Sequence, residues 1–472
     1  MKKVILITIL LVVFNLSIAN AQHRPNFIFF IVDDLGWGDL SISGSQFYET
    51  PNIDRLAENG VRFDNSYTAH PRCVPARFAM FTGKFPARAG IPGRGNMELD
   101  EVTIAEALKE HGYSTFYTGK WHLGHEESHW PQNQGFDINK GGCDAGGPPS
   151  YFFPYNKVTK AGLGRKITGL EIGVEGEYLT DRLTDETIKY IKEHKDQPFF
   201  ATIAHYAVHT PLQAKKEKIA KYKKKLESMT FESDEYTFGV DGRQKMHQNH
   251  PIYAAMIESV DESLGRLIQT LKDEGVYDNT IILLISDHGG LSNSGTNNKR
   301  NLATSNLPYR AGKGHLYEGG IKIPTIVHWK GVADDGSTRQ SLITGADYYP
   351  TFLEMAGLPL KPEQHIDGVS FVSAIKGEEI NQDRAFFWHS PLGRPTKTGD
   401  YNSSTIRFKE FKLIHFYDKN KVELYNIEQD PYEQNNLAKK EPELVKIMLY
   451  KLNVWKKEIN AFDKKASKKK KK

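Results

Sequence analysis

Two apolar runs constrain this chain more than any other feature. NFIFFIV (26–32) stops at Asp33-Asp34, and TIILLIS (280–286) stops at Asp287-His288. Neither shows the apolar–polar alternation of a half-solvated strand, so both read as parallel strands buried on both faces. Between them lie segments with a helical apolar period, at 52–60, 103–112, 180–194 and 253–275. Further strand candidates are STFYTGK (114–120), PFFATIAHY (198–206) and PTIVHW (324–329). Strand–helix alternation of this kind predicts an α/β fold, a large and mostly parallel sheet sandwiched by helices. Ligands in such sheets bind beyond the carboxyl ends of the strands, and both acidic strand ends lie there. After about residue 375 the pattern changes to short alternating strands, AFFWHS, TIRFKEFKLIHFY and KVELYNI, followed by one amphipathic helix at 441–459. That predicts a small antiparallel sheet with a packed helix, a C-terminal subdomain over 376–463 after a main domain over 22–375.

The two ends of the chain read differently. MKK, the apolar VILITILLVVF and Ala19-Asn20-Ala21 have the form of a signal peptide over 1–21, cleaved near Ala21. No later run approaches the ~18 apolar residues of a transmembrane helix. The expected mature protein is therefore periplasmic or secreted, with no transmembrane segment. Two lysines leave with the leader and seven belong to the tail KKASKKKKK (464–472), so the formal +4 of the chain becomes −5 over 22–463. A mildly acidic body excludes a nucleic-acid reading based on charge. The tail is expected to be disordered, as blocks of like charge usually are. The run KKEKIAKYKKK (215–225) is expected to be a solvated helix face.

Chemistry concentrates at the strand ends. Asp33, Asp34, Asp287 and His288 would repel one another unless a cation neutralised them, and an oxygen-rich set suits Ca²⁺ or Mg²⁺ better than zinc. A second cluster is HPRCVPARFAMFTGKFP (70–86). Pro75 fits the first turn of a helix and Gly83 its C-cap, with Phe78 and Phe81 facing the core. Cys73 then stands at a helix start, where free N–H groups and the dipole favour an anion, and Arg77 lies one turn on. Residue chemistry leaves two alternatives open: a disulfide with Cys143 in the loop KGGCDAGGPP, or a buried structural thiol.

The segment Cys73-Val74-Pro75-Ala76-Arg77, followed by Thr82-Gly83-Lys84, resembles the signature of the sulfatase family, whose core pattern is Cys-x-Pro-x-Arg. RPNFIFFIVDDLGWGDL and SDHGG are similar to the family's two metal segments, YTGKWHLG to its Lys-x-His pair, HYAVHTPL to its His before a Pro-containing turn, and LPYRAGKGHLYEGGIKIP to its Lys segment. The resemblance runs across nearly the whole mature chain. It implies an alkaline-phosphatase-like fold and a sulfuric ester hydrolase. Cys73 would be oxidised to Cα-formylglycine by a dedicated maturation enzyme, and its hydrate would attack sulfur. One calcium ion would lie among Asp33, Asp34, Cys73, Asp287 and His288. Arg77, Lys120 and Lys313 would hold sulfate oxygens, His209 would serve the leaving oxygen, and His122 would orient the formylglycine hydroxyl.

The expected substrate is a sulfated polysaccharide or its oligosaccharides, such as algal ulvan or carrageenan or a host glycosaminoglycan. Arg94, His125, Lys140, Asn306 and Arg310 lie in loops beside the matching segments and are the candidates for substrate contact. Two other functions remain open: a phosphoester or phosphonate hydrolase of the same superfamily, and a non-catalytic glycan-binding protein.

Overall fold

The computed structural model describes residues 24–91, 95–156, 158–159, 162–163, 167–239, 241–378, 380 and 383–461. The expected leader (1–21), the Lys-rich tail (464–472) and Arg94 lie outside the described residues.

An eight-stranded sheet forms the centre. Its order is Ser337–Arg339, Val61–Phe63, Thr325–His328, Thr280–Ser286, Asn26–Val32, Phe199–His205, Ser114–Gly119 and Ile138–Lys140. The two apolar runs are neighbours, paired in parallel from Asn26 against Thr280 to Val32 against Ser286. Phe199–His205 lies parallel on the other side of Asn26–Val32, and Ser114–Gly119 parallel beyond it. Thr325–His328, in the expected strand PTIVHW, runs antiparallel to both of its neighbours.

Every residue of Asn26–Val32 is buried, and the pleat divides them between two cores. Ile28, Phe30 and Val32 pack with Tyr253, Met256 and Leu264 of the long helix Pro251–Asp273. Phe27, Phe29 and Ile31 pack on the other face with Val74, Phe78 and Phe81 of the helix Cys73–Thr82. Each fully buried side chain of this size contributes about 1.5–3 kcal/mol. This three-layer arrangement agrees with the expected architecture.

Local signals explain the helix ends. The helix Ile104–Lys109 starts at Thr103, whose hydroxyl accepts the Glu106 N–H while the Glu106 carboxylate accepts the Thr103 N–H. Cys73–Thr82 ends at Gly83, which takes φ 70°. The lysine run forms the helix Lys216–Glu227, but it is not simply a solvated face. Lys218 is buried against Glu258 and Glu262, Lys221 pairs with Glu258 and Glu49, and Lys225 with Glu49. The positive charge is used to fasten one amphipathic helix to Pro251–Asp273, whose exposed edge is acidic.

The C-terminal part is an antiparallel sheet of Phe386–Ser390, Ser403–Phe408, Phe411–Phe416 and Lys421–Asn426 in sequence order. The helix Pro442–Glu458 lays Met448, Leu452 and Trp455 onto Ile406, Leu413 and Leu424, together with Ala79 and Phe85 from the central part. Among the described residues no helix is long and apolar enough to cross a membrane.

Candidate active site

Four adjacent parallel strands end at one place. Asp33 and Asp34 follow Asn26–Val32, Asp287 and His288 follow Thr280–Ser286, His209 lies four residues past Phe199–His205, and Lys120 follows Ser114–Gly119. The turns are held by the backbone: Asp33 N–H bonds to Ala207 O, Lys120 N–H to Ala204 O, and Asp34 N–H to the Asp287 carboxylate at 3.2 Å. Gly119, at φ 94°, sits so close to this crossing that a Cβ would fall 2.0 Å from Ala204 O. Asp34 and His122 hold left-handed φ values of 64° and 61°, a conformation that aims their side chains inward and that non-glycine residues seldom adopt.

The helix Cys73–Thr82 is inserted against these ends, with Cys73 as its first residue and all ten residues buried. Cys73 Sγ lies 3.1 Å from His288 Nε2 and 3.8 Å from Asp33 Oδ1. Lys120 Nζ reaches Asp33 Oδ2 at 2.5 Å, and Lys313 Nζ reaches Asp34 Oδ1 at 2.5 Å. His288 Nε2 is 3.4 Å from Asp34 and 3.6 Å from Asp287. His209 is held by its Nδ1, which donates to Thr210 O at 2.6 Å, so that Nε2 faces Asp34 at 3.8 Å. His122 is half-buried beside Cys73, and its ring interacts with that thiol.

Arg77, expected to hold sulfate, has protein partners in this structure. Its guanidinium is fully buried, pairs with Asp287 Oδ2 at 3.1 Å and donates to Lys120 O at 2.6 Å. It thereby ties two strand ends together. The disulfide alternative is overturned. Both cysteines are free, and Cys143 Sγ faces Tyr206 Oη at 3.8 Å.

The electrostatics are those of three buried carboxylates, each paired with one buried cation. Burial, then Asp287, pushes Asp33 well above the usual carboxylate range despite Lys120. Asp34 is held far below that range against its burial, chiefly by Lys313 and then by His209 and His288. Asp287 is lowered against its burial by His288 and Arg77. Burial alone would raise the Cys73 thiol, yet Lys120, Lys313 and His288 pull it well below its ordinary value, so the position favours an anion. Burial and Lys313 depress His209 to about 3. Ligand atoms of Asp33, Cys73, Asp287 and His288 lie within 4.8 Å of one another, and those of Asp34, Cys73 and His209 likewise. Three carboxylates with one imidazole form a donor set that fits a hard divalent cation.

The group opens into a cleft of about 580 Å³ that includes Cys73, His122, His209 and Lys313. Of the substrate candidates, His125 lines this cleft. Three others do not. Lys140 ends the edge strand Ile138–Lys140. Asn306 is buried and donates its amide to Gly290 O, Ala311 O and Ser292 Oγ. Arg310 lies over the Tyr317 ring at 3.9 Å and bonds to Tyr425 Oη and Glu433 O. Both side chains are spent on bracing the loop that carries Lys313. The cleft is instead lined by Arg72, Arg300 and Arg394, which the sequence reading passed over. Arg72 flanks Cys73 in the sequence and was open to recognition; nothing local marks the other two. A larger cavity of about 770 Å³, walled by Trp37, Tyr309 and Arg407, shares no residue with the cleft.

Comparison with known proteins gives consistent results. The family model described as Sulfatase matches residues 25–358, and that described as N-sulphoglucosamine sulphohydrolase, C-terminal, matches 311–458. A sulfatase of Formosa agariphila is 30% identical, over 92% of this chain and 89% of its own. The N-acetylgalactosamine-6-sulfatase of Canis lupus familiaris is 29% identical, over 84% and 76%. The crystal structure of Ps i-CgsB in complex with k-i-k-neocarrahexaose is 31% identical over 92% of both chains, with a TM-score of 0.75.

Proposed function

The chain belongs to the sulfatase family and is a sulfuric ester hydrolase, and from that premise we propose that it removes O-sulfate from an oligosaccharide derived from a sulfated polysaccharide, using formylglycine made from Cys73 and one calcium ion. The observation that carries this reading is the placement of Cys73. It starts a buried helix, touches His288 and Asp33, and is drawn toward the anionic form by Lys120 and Lys313. The glycan class is supported by Ps i-CgsB, solved with a neocarrahexaose.

Asp33, Asp34, Asp287 and His288 would hold the calcium, which supplies positive charge toward sulfate oxygens when bound. Conversion of Cys73 to a hydrated aldehyde would supply the nucleophile and replace a sulfur donor by oxygen, a harder set. The chain's own groups do the rest. Lys120 and Lys313 bring two ammonium groups to the reacting centre, where charge develops as the ester oxygen departs. His209, pinned through Nδ1, presents Nε2 to that oxygen; because the neutral ring carries its proton on Nδ1, Nε2 must first take a proton from solvent before it can give one to the departing oxygen. His122 lies beside the Cys73 side chain and is the base left to serve it when His288 holds the metal. Arg77 acts as a positioning residue through Asp287.

The test is co-expression with a formylglycine-generating maturation enzyme, peptide mass spectra across 73–77, and sulfate release from sulfated oligosaccharides read by ion chromatography. The expected result is a loss of mass that turns CH₂–SH into CHO, with sulfate release that depends on it. An unconverted thiol, where a control sulfatase is converted, would overturn the mechanism. Export is part of the same reading: the N-terminus of the mature protein should begin just after Ala21.

A further inference from the structure

His122 and His209 reach the cleft from different strands, yet one loop lies against both. His122 stands just past Ser114–Gly119 and His209 just past Phe199–His205. The loop is GGCDAGGPPSY (141–151), which follows the edge strand Ile138–Lys140 and brings Gly146 and Gly147 to the cleft wall. A side chain at either glycine would collide with an imidazole. A Cβ on Gly146 would fall 2.5 Å from His122 Cε1 and 2.7 Å from His122 Nε2. A Cβ on Gly147 would fall 2.8 Å from His209 Nδ1 and 3.1 Å from Thr210 O. Nonbonded carbon atoms settle about 3.5–4.0 Å apart, so the rings would have to move. The second collision lies on the hydrogen bond that pins His209, from Nδ1 to Thr210 O at 2.6 Å. The backbone itself does not call for glycine at these two positions. Neither has a left-handed φ, whereas Gly141 at the start of the same loop has φ 85°. What the bare backbone at 146 and 147 provides is room for two rings.

The loop is braced along its length, so it can serve as a fixed seat. At its start Gly141 N–H donates to Thr168 O at 3.1 Å, and Gly141 O accepts from Tyr206 Oη at 2.9 Å. In its middle Cys143 O accepts the N–H of His122 at 3.0 Å, which ties down the residue that holds φ 61°. At its end Tyr151 N–H donates to Gln213 Oε1 at 2.8 Å, and the buried Tyr151 Oη lies 2.7 Å from Tyr206 O and 2.8 Å from His209 O. The loop therefore grips the backbone of each histidine and bears on the ring of each.

We propose that Gly146 and Gly147 are positioning residues for the reaction, Gly146 for His122 and Gly147 for His209, and that the bare backbone of this one loop sets where both imidazoles stand relative to Cys73 and the departing oxygen. The roles of the two histidines rest on the sulfatase reading; the pairing of each glycine with its ring does not.

The test uses Gly146→Ala and Gly147→Ala, each of which adds one methyl group and asks nothing new of the backbone. In the unmatured full-length chain with isotope-labelled histidines, Gly146→Ala should move the ring resonances of His122 and leave those of His209 in place. Gly147→Ala should do the reverse, with His122→Gln and His209→Gln supplying the assignments. In the matured chain each alanine should lower kcat for sulfate release from a carrageenan oligosaccharide by about ten- to hundredfold, the effect of a small displacement of a catalytic group, with KM little changed. The signature is pairwise. In a His209→Ala background Gly147→Ala should cost nothing further, because the ring it displaces is gone, while Gly146→Ala should still cost its full factor; in a His122→Ala background the two exchange roles. Alanine variants that turn over at the native rate would overturn the proposal. So would losses confined to KM, the mark of a methyl obstructing the sugar, and losses that persist undiminished in the matched histidine background, the mark of a structural role. If an alanine variant does not fold, its matched histidine substitution should restore folding, and rescue by the other histidine or by neither would refute the pairing. If the resonances move as paired while the native chain releases no sulfate, the seat stands and the proposed activity falls.

Discussion

Glu433→Gln should make the protein more stable above neutral pH and leave it nearly unchanged in acid. Glu318 and Glu433 both face Lys412 in a fully buried cluster, at 2.7 and 2.9 Å, and Glu433 also accepts the Glu318 N–H at 2.7 Å. One ammonium between two carboxyls stabilises one negative charge, not two. Glu318 keeps it, lowered to about 2 against its burial by Lys412 and then Arg407, and burial pushes Glu433 up to about 7. A carboxyl whose folded pKa is raised binds its proton more tightly in the folded chain. Stability is therefore unaffected below the unfolded value of 4.5, falls as pH rises from there to about 7, and stays reduced above. The interval corresponds to about 3 kcal/mol. Glu318, ionised in both states throughout that window, adds no slope of its own, because its contribution is lost only as pH falls below 4.5 toward 2. Burial also raises Asp39 and Asp261 to about 6, but they titrate alike in both proteins and cancel in the difference. The substituted amide would retain an acceptor for the Glu318 N–H and resemble the protonated acid. Reversible urea unfolding of both proteins at pH 5, 6, 7 and 8 is the measurement. The stability gap should open by about 2–3 kcal/mol across the series. Parallel curves, or a gap that narrows with pH, would refute the account of the cluster.

Three further outcomes are expected. Asp287→Asn leaves the Arg77 guanidinium buried without its partner and should cost about 3–5 kcal/mol in urea unfolding, besides abolishing sulfate release; a loss of activity at full stability would contradict the positioning role of Arg77. Trp455→Ala removes a ring stacked on Phe387 at 4.7 Å and edge-on to Phe85 at 5.8 Å, and should cost about 3–5 kcal/mol, loosening the C-terminal helix first in hydrogen exchange. In the unmatured chain a thiol reagent should find Cys73, which lines the cleft, in the folded protein and Cys143 only after unfolding; a chain that yields neither would contain the disulfide the structure excludes.

Much of the site was legible because it is built on strand ends. A buried run stops where a charged residue begins, and that boundary is written in one dimension. Asp33, Asp34, Asp287 and His288 are neighbours simply because Val32 pairs with Ser286. Cys73 was readable from Pro75 and Gly83, which set the two ends of its helix. What was not legible depends on distant partners. The reversed direction of Thr325–His328 follows from its pairing with Thr280–Ser286 and Val61–Phe63, not from its own composition. Asn306 and Arg310 look like exposed loop polars until Asn306 folds onto Gly290, Ser292 and Ala311 and Arg310 meets Tyr425 of the C-terminal sheet. Arg300 and Arg394 are far apart in the chain, and main-chain bonds between their loops help bring them to one cleft.

The strand Asn26–Val32 feeds alternate side chains to two different cores and then delivers two site carboxylates at its end. It is thus a ruler as well as a wall. Removing one residue from it would exchange the contents of the two layers and, at the same stroke, draw Asp33 back by about 3.3 Å, roughly a full hydrogen-bonding distance. Variation in this segment should therefore take the form of substitution at constant length, whatever latitude the surrounding loops enjoy.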